Sequence, residues 1–346
     1  MTKIHFLPVK HGDAFIIECE HGDKHAIIVV DGGPPECGHV LINKLYLLGL
    51  PDLLVLTHYD NDHIGGILKW VTSCLDKNTI PAKEVWANCA CNVRVKSSSE
   101  TSAKDGALLS TILNDFVKQG LSWKNDICEG YKVNLQFAEI EVISPTKEML
   151  GLVIEKQEDE SNLLALTKAN KRTNADLEIS LDDLAQQLPK KPDPAKDNDL
   201  ANAASIAFLF RSPKISILML GDCYPQNVEH YLKCQGYSEA KPLVVDYIKV
   251  SHHGSRNNVS NDLLDIIKCH NYIISTNGGK GMANHPDRTA LAHILCHPKR
   301  DRSEKVHLYF NYSIPIVEKN GAAFLKPDEP ELYNFEIHEN VNEICI

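Results

Sequence analysis

The sequence has no C-x-x-C pair, no apolar run long enough to span a membrane, and no excess of positive charge. Its eleven cysteines are scattered from Cys19 to Cys345, and the nearest two are Cys89 and Cys91, so the spacing spells neither a disulfide framework nor a zinc knuckle. The opening MTKIHFLPVKHGDAF has no basic stretch leading into a long apolar segment. The expectation is a soluble protein of the reducing cytoplasm with no membrane partner. A formal charge of -10 repels polyanions at long range, so a nucleic-acid substrate would have to be gathered by a local basic patch or by bound cations. No internal repeat of fixed period is present either.

Hydrophobic residues at 43% and charged residues at 24% are ordinary globular proportions, enough to build a large core. The expected organisation is one elaborated α/β domain over residues 1–346, with a polar insertion at about 155–200. The first third alternates short apolar runs with polar turns: KIHFLPV, AFIIEC, HAIIVVDGG and LLVLTHYDNDH. These read as strands, two of which end abruptly in clusters of Asp, Gly or His, where a buried strand leaves the core. IGGILKWVTSCL then has helical spacing, and Gly65 and Gly66 let its backbone pass close to the site. Further strands follow at VWANCA, YKVNLQF and IEVISP. Within the polar stretch, DLEISLDDLAQQL reads as an amphipathic helix and PKKPDPAKDND as a mobile linker or surface loop. Apolar strands return at SIAFLF, ISILMLGD, PLVVDYIKVSHHGS and YIISTNGG. Two β-rich halves with helices after their strands suit two packed sheets covered by helices on their outer faces.

The densest chemical signal is LTHYDNDHIGG. His58, Asp60, Asp62 and His63 fall within six residues directly after an apolar strand. In an extended turn, groups two apart point to one side, while adjacent Asp62 and His63 can serve a second side. A two-metal hydrolytic centre needs such a divided set, with ions about 3.5–4 Å apart. The bland alternative is a solvated turn, as most charge clusters are. VVDGG places Asp31 at a strand end, ISILMLGD does the same for Asp222, and YIKVSHHGS offers His252 and His253. Gly-Asp alone is also a common turn.

Taken together, these segments resemble the metallo-β-lactamase superfamily: HYDNDH is similar to its H-x-H-x-D-H signature, with Asp60 where a second histidine is usual. The resemblance implies an αββα sandwich of the metallo-β-lactamase type. It also implies one or two divalent ions, zinc or manganese, held by His58, Asp60, Asp62, His63, Asp222 and a histidine of the pair. His253 is favoured over His252 because it precedes glycine. Asp222 would bridge the ions, and Asp31 would buttress the ligands from behind. A further histidine of the family is absent, and Ser144 in IEVISPT stands in its place. Asp60 exchanges an imidazole for a hard anionic oxygen, which moves the first site away from zinc alone and towards manganese or magnesium.

FLPVKHGDAFII, NAASIAFLF, KVSHHGSRNN and ISTNGGKGMANHP are similar, within the superfamily, to the hydrolase domain of bacterial DNA-uptake competence proteins. That resemblance implies a metal-dependent phosphodiesterase or nuclease acting through a metal-activated hydroxide on a nucleotide or nucleic acid. Asp62 and His285 are then the catalytic candidates, with His285 helping the leaving oxygen depart. Lys249, Arg256 and Lys280 would neutralise substrate phosphate, although isolated basic residues are more often solvated. His285 is equally readable as a turn histidine, and His11 fits a structural role better than a catalytic one. Two other classes remain: hydrolysis of a lactone, thioester or amide by the same centre, and a degenerate metal-binding interaction module whose 155–200 insertion meets a protein partner.

Overall fold

The computed structural model of the chain describes residues 1–89, 101–135, 137–158, 172–189, 200–279, 284–319 and 321–346. Apolar runs that continue without alternation make strands buried on both faces, and this holds through most of the chain. In β2 (Phe15–His21), Phe15 and Ile17 face one way and Ile16 the other, and all three are buried. β2 belongs to a seven-stranded sheet with β1 (Thr2–Phe6), β3 (Lys24–Val30), β4 (Leu53–Leu56), β5 (Glu84–Ala87), β6 (Ser122–Lys124) and β17 (Glu343–Cys345). Its order is β17-β1-β2-β3-β4-β5-β6. The second sheet has the order β16-β15-β14-β12-β10-β9-β8-β7. Its strands are β7 (Lys132–Leu135), β8 (Ala138–Ser144), β9 (Ala207–Arg211), β10 (Ser216–Met219), β12 (Tyr247–Lys249), β14 (Asn271–Ile274), β15 (Val306–Phe310) and β16 (Phe335–His338).

Three apolar clusters fix the layers. Phe6, Phe15 and Val55 from the first sheet meet Phe208, Phe210 and Ile217 from the second, forming the core between the sheets. On the far face of the first sheet, Leu54 and Leu56 pack with α1 (Gly38–Leu48), α2 (Asn61–Asp76) and α3 (Thr101–Val117). On the far face of the second, Leu209 and Leu218 pack with the Pro225–Cys234 and Arg288–Leu295 helices. The order helix, sheet, sheet, helix is the αββα sandwich expected from the sequence.

β3 to β6 run parallel, as do β10, β12, β14, β15 and β16. The loops after their carboxyl ends therefore gather at one rim, where open α/β sheets bind ligands. Among the described residues no helix is long and apolar enough to cross a membrane, and the described cysteines are free thiols.

One local outcome differs from the sequence reading, and two more lie beyond it. The helix expected over DLEISLDDLAQQL is broken into α5 (Asn174–Glu178) and α6 (Leu181–Leu184), because Ile179 is extended and the Ser180 hydroxyl accepts from the Asp183 N–H to start a new helix. Within the insertion, Leu181, Leu184 and Ala185 belong to the helix-covered core of the second sheet. Finally, β17 returns from the C-terminus to pair with β1 of the first sheet. Residues 190–199 of the expected linker lie outside the described residues.

α2 buries Ile64, Ile67, Leu68 and Val71, the spacing of one helical face. Its Gly-Gly pair sets how closely it approaches β3's end: a Cβ on Gly66 would stand 1.9 Å from the Gly32 carbonyl oxygen, and the Gly66 N–H donates to the Gly33 carbonyl at 2.8 Å. Alanine is worth up to about 1 kcal/mol more than glycine inside a helix. Here the backbone contact reverses the sign. Gly66→Ala should destabilise the chain by about 1–3 kcal/mol in urea unfolding, and an unchanged or raised midpoint would contradict this close approach.

Candidate metal centre

The Gly66 contact carries the loop after β3 against the first turn of α2, and so sets Asp31 beside His63. Asp31 sits in the left-handed region at φ 59 and is buried. One carboxylate oxygen accepts the Thr57 N–H at 2.8 Å, and the other accepts the Thr57 hydroxyl at 2.7 Å and faces His63 Nδ1 at 2.8 Å. With Nδ1 held, Nε2 of His63 is aimed forward, 3.4 Å from an Asp222 carboxylate oxygen. His58 is treated alike: Nδ1 lies 3.1 Å from the Thr57 hydroxyl and 3.5 Å from the Ser205 hydroxyl. His253, from the loop after β12, has Nδ1 2.8 Å from the Ser275 carbonyl and 3.4 Å from Asp13. Its Nε2 points to Asp62 at 3.6 Å and Asp222 at 3.9 Å.

Three imidazoles from two sheets are thus held by their rear nitrogens, while their forward Nε2 atoms are buried without a hydrogen-bond partner. Nitrogen left unsatisfied in this way is costly unless something else occupies it. The rings crowd together, with centroids 4.1 Å apart for His58 and His63 and 5.6 Å for His63 and His253. Asp60, the N-cap residue of α2, reaches to 3.7 Å from His58 Nε2. Bonds of about 2.0–2.1 Å to a tetrahedral ion separate neighbouring ligand atoms by about 3.3 Å, close to the spacings between these groups.

Charge leads to the same reading. Asp13, Asp31 and Asp222 are buried, and among the described residues Lys249 is the one buried lysine beside them. Burial and then the neighbouring His63 push the His58 pKa down to about 3, leaving a neutral ring ready to ligate. Burial would also lower His253, but Asp13 and Asp222 outweigh it and raise the pKa to about 10. His63 is likewise raised, by Asp222 and Asp31 against its burial. In the absence of an ion, protons on these rings balance the carboxylates, and a divalent cation would do so in their place.

The two histidines of SHHGS both face Asp222, with His252 Nε2 3.8 Å away. Both take left-handed backbone, at φ 49 and 55, which splays one ring inward and leaves the other partly exposed at the rim. There His252 meets His285, with ring centroids 5.3 Å apart. His285 Nδ1 is 3.5 Å from Asp287, and Arg256 donates to the same Asp287 from its backbone N–H at 2.9 Å and its guanidinium at 3.0 Å. Ser144 is fully buried at the end of β8, opposite Ala207. His11 lies half-buried on the loop that carries Asp13.

Lys249, expected to meet substrate phosphate, is turned away from solvent. Its ammonium contacts the Asp13 carboxylate, donates to the Gly221 carbonyl at 2.9 Å and lies 3.6 Å from Asp222. Lys280 lies outside the described residues. Asp13 escaped the sequence reading, although it forms a close buried group with His63, Asp222 and His253. Its carboxylate lies on the Nδ1 side of His253, so it steadies that ring from behind. The available signal was its position, a Gly-Asp at the edge of an apolar strand, as in Gly221-Asp222.

Because Asp31 touches only the rear of His63, its loss should weaken metal binding without emptying the site. Asp31→Asn should lower metal affinity about 10–100-fold, the range usual for groups that orient a ligand. Titration calorimetry with manganese checks this, and an unchanged affinity would remove Asp31 from that role.

No protein-family model matches the chain, and no curated protein matches it. Solved structures do. The metallo-beta-lactamase fold protein YhfI from Bacillus subtilis is 9% identical, with 99% of this chain and 98% of that one covered and a TM-score of 0.39. A diphosphatase from the PhnP family is 8% identical over 96% of this chain and 84% of that one, with a TM-score of 0.38. A variant of the CmlA beta-hydroxylase is 12% identical over 99% of this chain and 53% of that one, at 0.40. Likeness this remote does not choose a reaction, and the choice rests on the side chains of the site.

Proposed function

We propose that this chain is a metal-dependent hydrolase of the metallo-β-lactamase type that cleaves phosphodiester bonds, as a phosphodiesterase or nuclease. The observation that carries the reading is that the Nε2 atoms of His58, His63 and His253 are buried without a hydrogen-bond partner, those of His63 and His253 facing the Asp222 carboxylate at 3.4 and 3.9 Å. Asp62, His63 and His253 would hold one ion, His58 and Asp60 the other, and Asp222 would face both. Bound divalent ions supply Lewis acidity towards a phosphoryl oxygen and acidify a water.

The chain's own residues do the rest. Asp31, Thr57, Ser205, Ser275 and Asp13 fix the ligand rings before substrate arrives, so little reorganisation is left for the reaction. His285 stands at the exposed side of the cluster, steadied by Asp287, where it can give a proton to the departing oxygen. Arg256 is engaged by Asp287, so its contribution is to hold that pair in place. Arg288, which follows Asp287 in the chain, donates to the Ile179 carbonyl between α5 and α6 at 3.0 Å.

Asp60 makes the first ion site richer in oxygen, which favours manganese over zinc. Chelator-stripped protein reloaded with manganese should outpace zinc-loaded protein on a generic phosphodiester, and Asp60→His should shift the preference towards zinc. The same preparations, offered an ester, a lactone and a β-lactam, should turn these over more slowly than the phosphodiester. Faster cleavage of a carbonyl substrate would transfer the proposal to that chemistry, and equal zinc activity in both proteins would show that donor softness does not set the ion.

A further inference from the structure

A second group of metal-ligating side chains lies on the outermost strands of the eight-stranded sheet, apart from the rim that carries Asp222. In β15, Val306, Leu308 and Phe310 point into the helix-covered core, so His307 and Tyr309 point to the opposite face. Parallel pairing with β16 sets Glu336 beside His307 and His338 beside Tyr309 on that face. The ligand atoms of His307, Glu336 and His338 lie within 4.8 Å of one another. His307 Nδ1 is 2.9 Å from His338 Nε2 and 3.9 Å from a Glu336 carboxylate oxygen. These separations straddle the roughly 3.3 Å expected between neighbouring ligands of a tetrahedral ion with bonds of about 2.0–2.1 Å. Small side-chain rotations would equalise them.

We propose that His307, Glu336 and His338 form an auxiliary site for a divalent late transition ion of the zinc class, which staples the edge strand β16 to β15. Two imidazoles and one carboxylate suit zinc, and are poor ligands for magnesium or calcium. The site is preorganised: the His338 ring lies flat on Tyr309, with centroids 4.5 Å apart and planes 12° from parallel. It is also accessible, since the His307 side chain is 30% exposed and that of Glu336 49%, which leaves room for water to complete the coordination. The charges facing it are few. Lys305 lies 3.6 Å from the same Glu336 oxygen and would have to yield it, while the nearby His270 and Lys268 are both paired with Glu304.

The test is equilibrium dialysis of the full chain against zinc, with metal counted per chain. Wild type should retain one zinc more than either His307→Gln or His338→Gln, and zinc should raise the thermal midpoint further in wild type than in those variants. Glu336→His, which adds a third imidazole at an exposed position, should tighten the zinc that is lost in the other two. Circular dichroism of each protein without metal establishes that the variants fold. Equal zinc counts in wild type and both glutamine variants, or a Glu336→His protein with wild-type affinity, would overturn the proposal.

Discussion

Replacing Asp222 by asparagine should strip the centre around Asp222 of divalent metal and lower phosphodiester turnover by about 10³-fold or more. One carboxylate oxygen of Asp222 lies within 3.4–3.9 Å of the forward nitrogens of His63, His252 and His253. An amide has nearly the same shape but carries no charge, so it cannot balance two cations. Against the burial that would raise it, His63 and His252 hold the Asp222 pKa well below the usual carboxylate range, so the group enters the site as an anion. Metal analysis and turnover should fall together while the circular dichroism spectrum is kept. Full turnover with an unchanged metal content would remove Asp222 from the mechanism.

The largest effect on stability should come from Lys249→Met. Methionine fills a similar volume, but it leaves the Asp13 carboxylate without its ammonium in a site from which water is excluded. Breaking a buried ion pair from one side typically costs about 3–5 kcal/mol, and urea unfolding of the metal-free protein should show a loss of that order. Burial alone would raise the Asp13 pKa, but Lys249 and then His253 bring it down to about 2, below the usual carboxyl value of 3.8. A depressed carboxyl pKa stabilises the fold above the unfolded value, and that contribution is lost as pH falls towards 2. The acid limb between about pH 4 and 2 should therefore flatten in Lys249→Met. Asp13→Leu combined with Lys249→Met should recover most of the loss, since an apolar pair of similar volume is commonly neutral or better. A single variant as stable as wild type would show that the pair contributes nothing.

Much of this site is written locally, and the remainder only in three dimensions. His58, Asp60, Asp62 and His63 are adjacent in sequence and follow an apolar strand, so their grouping needs only the strand's end to be located. Asp222 and the His252–His253 pair are legible for the same reason. Lys249 is different, because β12 lies inside a parallel sheet with both faces covered, and strand alternation then cannot tell an inward position from an outward one. A lysine buried between Ile248 and Val250 needs an anionic partner, but the sequence does not say which. Asp13, more than two hundred residues away, supplies it through chain topology. The break at Ile179 was missed because the apolar spacing of DLEISLDDLAQQL suits one helix, whereas the Ser180 cap, visible in the sequence, starts another. The pairing of β17 with β1 is non-local and leaves no periodic trace in three residues.

His63 and His253 direct their Nε2 atoms at Asp222, and His58 directs its own at Asp60, an arrangement proposed to hold catalytic metal. That central claim is tested most directly by titrating chelator-stripped protein with manganese while counting ions bound and following cleavage of a generic phosphodiester in the same sample. Turnover that is absent in the stripped protein, rises with each ion bound and saturates at two per chain is the expected result. A folded protein that binds no manganese, or one whose turnover is the same with and without metal, would contradict it.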